Sequence, residues 1–294
     1  MQGLSRVSGP EFRVQPETTK LETRHSDSVK GLSLQLQEIQ NGLVTKRLGT
    51  QFHWFHEIDS TNSYARRLAE QGALEGEVVI AEQQTQGRGR LGRSWVSPPY
   101  VNLYFSVILR PLLSPVHAPQ ITLTAAVALA DAVAAFVPRP PVIKWPNDIL
   151  IDGQKLAGVL TESSCTSDRI EFVILGIGVN VNFPRSLMGD EIRERATSLM
   201  EVGQKPVSRE AFFRRLIQDL DRCYGILQES GFGAMAPRWE AYFGQREQKV
   251  KVELEDEVLI GEAKGIDRDG ALIVQSADGV RHRIIAGDVT ALKD

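Results

Sequence analysis

Gly87-Arg88-Gly89-Arg90-Leu91-Gly92-Arg93-Ser94-Trp95 is the stretch that decides which folds this chain can adopt. It holds a G-x-G-x-x-G string just after the apolar run Val78-Val79-Ile80-Ala81, which has strand character. Several folds use such a string, so its surroundings must discriminate. In a doubly wound dinucleotide fold the third glycine opens a helix whose N-terminus faces a pyrophosphate. Here Pro98-Pro99 and then a second apolar run at 103–109 follow, which excludes that helix. A kinase glycine loop does lie between strands, but the chain has neither an H-R-D nor a D-F-G segment. What remains is a flexible loop bearing Arg88, Arg90 and Arg93, three guanidiniums within six residues. They repel one another unless an anion joins them, and their planar forks suit phosphate or carboxylate oxygens. A solvated basic loop is the plain alternative. Trp95 reads either as core or as a face on which a base could stack.

Working outward toward the N-terminus, Asp59-Ser60-Thr61-Asn62 supplies N-cap residues ahead of Tyr64, Ala65, Leu68 and Ala69, predicting a short amphipathic helix. Leu32, Leu36, Ile39 and Leu43 recur at i, i+4, i+7 and i+11, predicting another within 32–49 that Gly49 closes off. Residues 1–31 hold few apolar side chains and no period of 2 or 3.6, and read as a disordered leader. Toward the C-terminus an Ala-rich helix is expected at 125–137, ended by Pro138, Pro140 and Pro141. Strands follow at 142–144, 149–151, 157–162 and 170–175, with Asp152-Gly153 as a hairpin turn. Ser208 caps a long helix that turns Phe212, Phe213, Leu216, Leu220, Cys223 and Leu227 inward, and a further helix spans 235–243. The final segment has short strands at 249–255, 258–264, 271–275 and 280–285 and turns at Asp269-Gly270 and Asp278-Gly279, the pattern of a small all-β barrel. The expected organisation is therefore a leader at 1–31, a main domain at 32–245 and a barrel at 246–294.

Composition narrows the classes. With 294 residues, 42% hydrophobic and 24% charged, the chain is an ordinary globular sequence of roughly two domains. Its best apolar window, 121–137, is interrupted by Thr122, Thr124 and Asp131, which argues against a membrane span. The charged N-terminus lacks the apolar core of a secretory signal. Cys165 and Cys223 are too few for a disulfide framework and have no partner at metal-ligand spacing, so the reading is a reduced, cytoplasmic protein without structural zinc. The net charge of −3 argues against bulk nucleic-acid binding. Residues 246–294 carry eight Lys and Arg against eleven Asp and Glu, so that whole charge sits in the barrel.

Two more constellations carry chemistry. In Lys144-Trp145-Pro146-Asn147-Asp148 the proline forces non-helical backbone, and a carboxylate beside an amide is a plausible Mg²⁺ pair; an Asx turn is the alternative. Lys155, on the hairpin begun by Asp152-Gly153, lies close enough in sequence to stabilise charge on a transferring group. In Gly176-Ile177-Gly178-Val179-Asn180, two glycines after a strand allow close backbone approach and Asn180 can donate and accept at once; a bulge with an Asn turn reads equally well.

Together with Ser60-Thr61-Asn62, these segments resemble the biotin protein ligases, also called biotin–[acetyl-CoA-carboxylase] ligases. The resemblance covers roughly residues 50–294, in the family's order: S-T-N, G-R-G-R-x-G-R-x-W, K-W-P-N-D, K-L-A-G, G-x-G-x-N and a small C-terminal barrel. It implies an α+β fold, a mixed β-sheet backed by helices as in class II synthetase-like ligases, followed by an SH3-like barrel. It implies that biotin carboxylate attacks the α-phosphate of ATP to give biotinyl-5′-AMP, and that a lysine on the biotin carrier domain of a biotin-dependent carboxylase then takes the biotinyl group. On that resemblance Ser60, Thr61, Asn62, Gln84, Gly87, Arg88, Gly89, Arg90, Lys155 and Gly158 are expected around biotin. Arg88, Arg93, Trp95, Lys144, Asn147 and Asn180 are expected around ATP and the adenylate. Asp148 is expected at Mg²⁺, with Asn147 beside it, and Lys155, Arg90 and Arg93 in catalysis, Lys155 foremost. The nearest enzyme rival is a lipoate–protein ligase. A biotin-responsive DNA-binding repressor is the rival of another class, and residues 1–31 cannot build the three helices of its DNA-binding domain. A non-catalytic binding module is disfavoured because Arg88, Arg90, Arg93, Asp148 and Lys155 are all present. Neither DNA nor a membrane is an expected partner, and the oligomeric state, a homodimer included, stays open.

Overall fold

The run Val78-Val79-Ile80-Ala81 is apolar at every position because both of its faces are covered. Val78 and Ile80 enter the main hydrophobic core and Val79 a smaller one with Ala65, Ala69, Ile108, Phe172 and Ile174, as the two-residue alternation of a strand requires. The computed structural model describes residues 33–254 and 257–292. The leader expected at 1–31 lies outside them.

In chain order the elements are α1 (Leu36–Gln40), β1 (Gln51–Ile58), α2 (Thr61–Glu70), β2 (Glu77–Gln84), β3 (Leu103–Leu109), α3 (Pro119–Ala134), β4 (Val142–Lys144), β5 (Asp148–Ile151), β6 (Gln154–Cys165) and β7 (Ile170–Val179). Then come α4 (Asp190–Arg193), α5 (Leu199–Gly203), α6 (Arg209–Ser230) and α7 (Ala236–Tyr242), followed by β8 (Lys249–Glu253), β9 (Val258–Ile266), β10 (Leu272–Gln275), β11 (Arg281–Ile284) and β12 (Asp288–Ala291). The first seven strands form one mixed sheet in the order β1-β2-β3-β7-β6-β5-β4, parallel at β1–β2 and antiparallel elsewhere. α3 and α6 cover one face and α2 the other. The last five strands form an antiparallel sheet in the order β11-β10-β9-β8-β12, compatible with the small barrel expected.

Several expectations need correction. The N-terminal helix is one short turn: Asn41 ends it and Gly42 takes φ +85°, so Gly49 plays no part in closing it. The Ala-rich helix begins earlier, at Pro119, where proline suits the first turn. α3 is apolar on nearly every face, and at 115–134 the chain has the length and hydropathy of a membrane span. Most of that window is buried against the sheet and α6, which accounts for its composition. Strands β1 and β12 were not foreseen.

The sheet's α2 face creates the site. Along β7 the side chains on this face run Phe172, Ile174, Gly176, Gly178, so an apolar layer gives way to bare backbone. Register extends the gap sideways: Gly178 pairs with Gly158 on β6, Gly158 with Asp148 on β5, and Asp148 with Lys144 on β4. One line across the sheet thus carries two glycines, a carboxylate and an ammonium.

Candidate active site

α2 begins over this floor. Ser60 caps the helix, its side chain accepting from the Ser63 N–H, and Ser60, Thr61 and Asn62 are all buried. Thr61 donates to Gln84 Oε1 from both its N–H (2.9 Å) and Oγ1 (3.1 Å), and Gln84 Nε2 donates to Ser97 Oγ at 3.1 Å. Asn62 Nδ2 donates to Glu162 Oε2 at 2.8 Å, while Ser106 Oγ lies 2.6 Å from Asn62 Oδ1 and 2.8 Å from Thr61 Oγ1. Sequence reasoning found the outer members of this network and missed Ser97, Ser106 and Glu162, whose partners are remote along the chain.

The glycine-rich loop is a small hairpin. Gly89 N–H donates to Arg93 O (2.7 Å) and Trp95 N–H to Gly87 O (2.9 Å). Leu91 and Gly92 both take positive φ, +55° and +71°, as in a mirror-image two-residue turn. The arginines do not face one another. Arg88 Nη2 donates to Glu162 Oε2 at 2.8 Å; Arg90 donates to Asn147 Oδ1 and Gly287 O, both at 3.1 Å; Arg93 pairs with Asp288. Their mutual repulsion is relieved by acceptors within the protein, so no outside anion is needed for the loop to hold this shape. Burial lowers the pKa of Arg90, with Asp148 and Asp288 working against the change. The hydrogen bond to Asp288 raises that of Arg93.

The glycines of β7 also differ from expectation. They lie within the strand, and the groups approaching them are side chains of this chain: Asn62 rests on Gly176 and the Trp95 ring on Gly178. A Cβ at Gly178 would stand 2.5 Å from Trp95 Cε2. Trp95 is therefore half-buried on the floor, its Nε1 without a hydrogen-bond partner. Lys155 Nζ lies 5.3 Å from the centroid of that ring and 2.8 Å from Asp148 Oδ1. The ion pair lacks hydrogen-bond alignment, so buried Asp148 Oδ1 keeps a free lone pair. The two-residue turn at Asp152-Gly153 (φ +51° and +78°) and a bulge at Ile149–Leu150 aim Lys155 here. Its backbone N–H is fixed by Arg195 O at 2.7 Å.

Asn147 Nδ2 donates to Val159 O at 2.9 Å, beyond the cis Trp145–Pro146 bond, so its amide ties β5 to β6 as well as receiving Arg90. Asn180 is tied up by protein: Nδ2 donates to Thr197 O at 3.0 Å and Oδ1 accepts from Asn102 at 3.4 Å. Its free bonding capacity is smaller than the sequence suggested.

Two cavities flank Trp95. One, of about 120 Å³, is lined by Ser60, Thr61, Asn62, Gln84, Arg88, Gly89, Arg90, Asn147, Gly158 and Gly176. The other, of about 430 Å³, is lined by Lys144, Leu150, Asn180, Phe183, Ile192 and Arg195. Arg93, Ser94, Trp95, Asp148 and Lys155 line both. The expected residues are thus brought together except Gly87, which supports the loop's stem against Trp95 and Ser97. Among the described residues no three His, Cys, Asp or Glu side chains converge on a metal position. A single carboxylate with a free buried lone pair suits Mg²⁺ of the kind that arrives on nucleotide phosphates and keeps most of its waters. Neither thiol belongs to the site: Cys165 is exposed, and Cys223 is buried in the core, where burial pushes its thiol up to about 11.

Comparison with known proteins agrees with this geometry. Residues 54–180 match the biotin/lipoate A/B protein ligase family, and residues 247–290 match the biotin protein ligase C-terminal domain. The chain is 35% identical over 252 residues to the bifunctional ligase/repressor BirA of Bacillus spizizenii, covering 86% of this chain and 77% of that protein. It is 35% identical over 244 residues to a biotin–[acetyl-CoA-carboxylase] ligase of Mycobacterium tuberculosis, covering 81% of this chain and 87% of the relative. A solved structure of the biotin protein ligase from Aquifex aeolicus, in complex with biotin and ATP, superposes with a TM-score of 0.72 at 28% identity, covering 83% of this chain and 100% of that one. The chain belongs to the biotin protein ligase family.

Proposed function

We propose that this chain joins biotin to a carrier protein in two half-reactions, with the first cavity holding biotin and the second holding ATP. The observation that carries the assignment is the shared wall of Arg93, Trp95, Asp148 and Lys155 between the two cavities. Joining a carboxylate to an α-phosphate needs two substrates end to end, with cations where their charges meet.

In the first half-reaction a biotin carboxylate oxygen bonds to the α-phosphorus of ATP and pyrophosphate leaves. Thr61, Asn62 and Gln84 offer polar contacts to the biotin ring, and Arg88 and Arg90 close over it. Lys155, already between a carboxylate and an aromatic face, offsets the charge that builds on the α-phosphoryl oxygens, and Arg93 does so from the loop. Trp95 gives the adenine a stacking face, and Lys144 and Asn180 complete the nucleotide side, while Asn147 stands in the first cavity holding Arg90. Asp148 would hold Mg²⁺ through the Oδ1 lone pair that its ion pair with Lys155 leaves open, and the ion when bound would neutralise phosphate charge. In the second half-reaction the neutral amine of a carrier lysine bonds to the acyl carbon, AMP leaves and the amine loses a proton. The carrier is the biotin-bearing domain of a biotin-dependent carboxylase. No enzyme nucleophile is involved, in keeping with the burial of Cys223 and with linings of both cavities that do not include Cys165.

The test is Lys155→Ala. The variant is expected to stay folded and to lose about 10²–10³-fold in biotin-dependent pyrophosphate release. Release at the wild-type rate would remove Lys155 from the reaction.

A further inference from the structure

The sequence asked for an anion beside the arginine loop, and part of the answer comes from the far end of the chain. Asp288 opens β12, and its place is fixed by its pairing with Glu253 on β8. It reaches out of the barrel into the lining of the first cavity. One oxygen accepts from Arg93 Nη2; the other stands 3.8 Å from Lys144 Nζ. The preceding Gly287 O accepts from Arg90 Nη2 at 3.1 Å. Two successive residues of the barrel therefore hold three cations of the catalytic domain. Arg93 and Lys144 are also the cations assigned above to ATP.

We propose that Asp288 is an internal counter-ion of the phosphate site, holding Arg93 and Lys144 in place without nucleotide and releasing them to the phosphates when ATP enters. The inference rests on the reading of the nucleotide cavity given above. A carboxylate and a phosphate make the same demand on a guanidinium, so one arginine fork exchanges one for the other. The exchange is easy here because the Arg93 side chain is 63% exposed, and ion pairs in water are weakly held. Lys144 sits beyond hydrogen-bond distance of Asp288, held by charge alone. The barrel is thereby part of the nucleotide site, and Asp288 acts on it through Arg93 and Lys144 as the charge that the phosphates displace.

The test uses the full chain and inorganic tripolyphosphate as probe, titrated calorimetrically against wild type and Asp288→Asn. Removing the competing charge is expected to tighten tripolyphosphate binding about tenfold, and to lower the KM for ATP in step while that for biotin stays. In an Arg93→Ala background the gain from Asp288→Asn should shrink. Unchanged or weaker binding by Asp288→Asn overturns the proposal, because a carboxylate that orients the cations for ATP would be missed when lost. A second measurement needs no variant: hydrogen exchange of wild type should show Gly287 and Asp288 losing protection when tripolyphosphate binds, and steady or greater protection is contrary. Wild type that binds neither ATP nor tripolyphosphate overturns the nucleotide reading and this proposal together; binding that is present but indifferent to Asp288→Asn overturns this proposal alone.

Discussion

Gly178→Ala adds one methyl group at the centre of the floor. The new Cβ would lie 2.5 Å from Trp95 Cε2, 2.7 Å from Nε1 and 2.9 Å from Cζ2. Non-bonded carbons settle at about 3.5–4.0 Å, so the indole must retreat by roughly an ångström. The backbone itself accepts alanine, since Gly178 is ordinary strand with partners on β3 and β6. Overpacking of this size costs about 1–3 kcal/mol. Because Trp95 borders open cavity, the ring can move, and the cost should appear in binding more than in folding. If nucleotide binding needs the ring where it lies, the same energy is about a 5–150-fold rise in the KM for ATP. Gly178 and Trp95 line the first cavity as well, so the KM for biotin should rise too, within the same range. The assay is steady-state pyrophosphate release with each substrate varied in turn, alongside thermal unfolding. Gly189→Ala is the control, as nothing lies within 4 Å of its added Cβ. A Gly178→Ala enzyme with normal melting and an unchanged KM for ATP would refute the argument.

Three other outcomes follow from the same structure. Arg209 pairs with Glu82 at 2.6 Å with both side chains buried, so Arg209→Ala should destabilise by about 3–5 kcal/mol, lowering Tm by roughly 6–20 °C; a Tm within about a degree of wild type would contradict this. At pH 8 iodoacetamide should label one thiol, exposed Cys165, and should reach Cys223 only after denaturation, because burial pushes that thiol up to about 11; rapid double labelling of native protein would count against the buried placement. Burial opposes the charge of Asp288, but Arg93 and Lys144 outweigh it and hold its pKa below the usual carboxylate value. Its contribution to stability is thus present at neutral pH and lost as pH falls through the depressed value, below about 4. Wild type and Asp288→Asn should differ in Tm at pH 6 and draw together as pH falls below about 4; a gap that stays constant from pH 6 down into acid would show that it does not arise from this charge.

Much of the fold was legible where burial left a strong pattern. The run at 103–109 is a strand with the expected ends, buried along its whole length between β2 and β7, and 142–144 keeps its expected ends at the sheet's other edge. Gln51–Ile58 escaped notice because it is an edge of the sheet: His53, His56 and Glu57 interrupt its apolar residues, none of which is fully buried. Asp288–Ala291 is too short to show a period. In the site, local strings found the loop, Lys155 and Asp148, because spacing along a strand or hairpin is a local property. Asp288 and Glu162 were missed because a carboxylate's partner 195 or 74 residues away leaves no local trace. The flat floor was half legible: the glycines were seen, but the side chains resting on them arrive from α2 and the loop.

The account stands most directly on transfer itself. Wild-type protein incubated with biotin, ATP, Mg²⁺ and a biotin carrier domain should place one biotin on a carrier lysine, seen as a single mass increment. Without carrier it should accumulate biotinyl-5′-AMP, and without ATP it should form neither product. A carrier left unmodified while the protein is folded and ATP, biotin and Mg²⁺ are present would contradict the account.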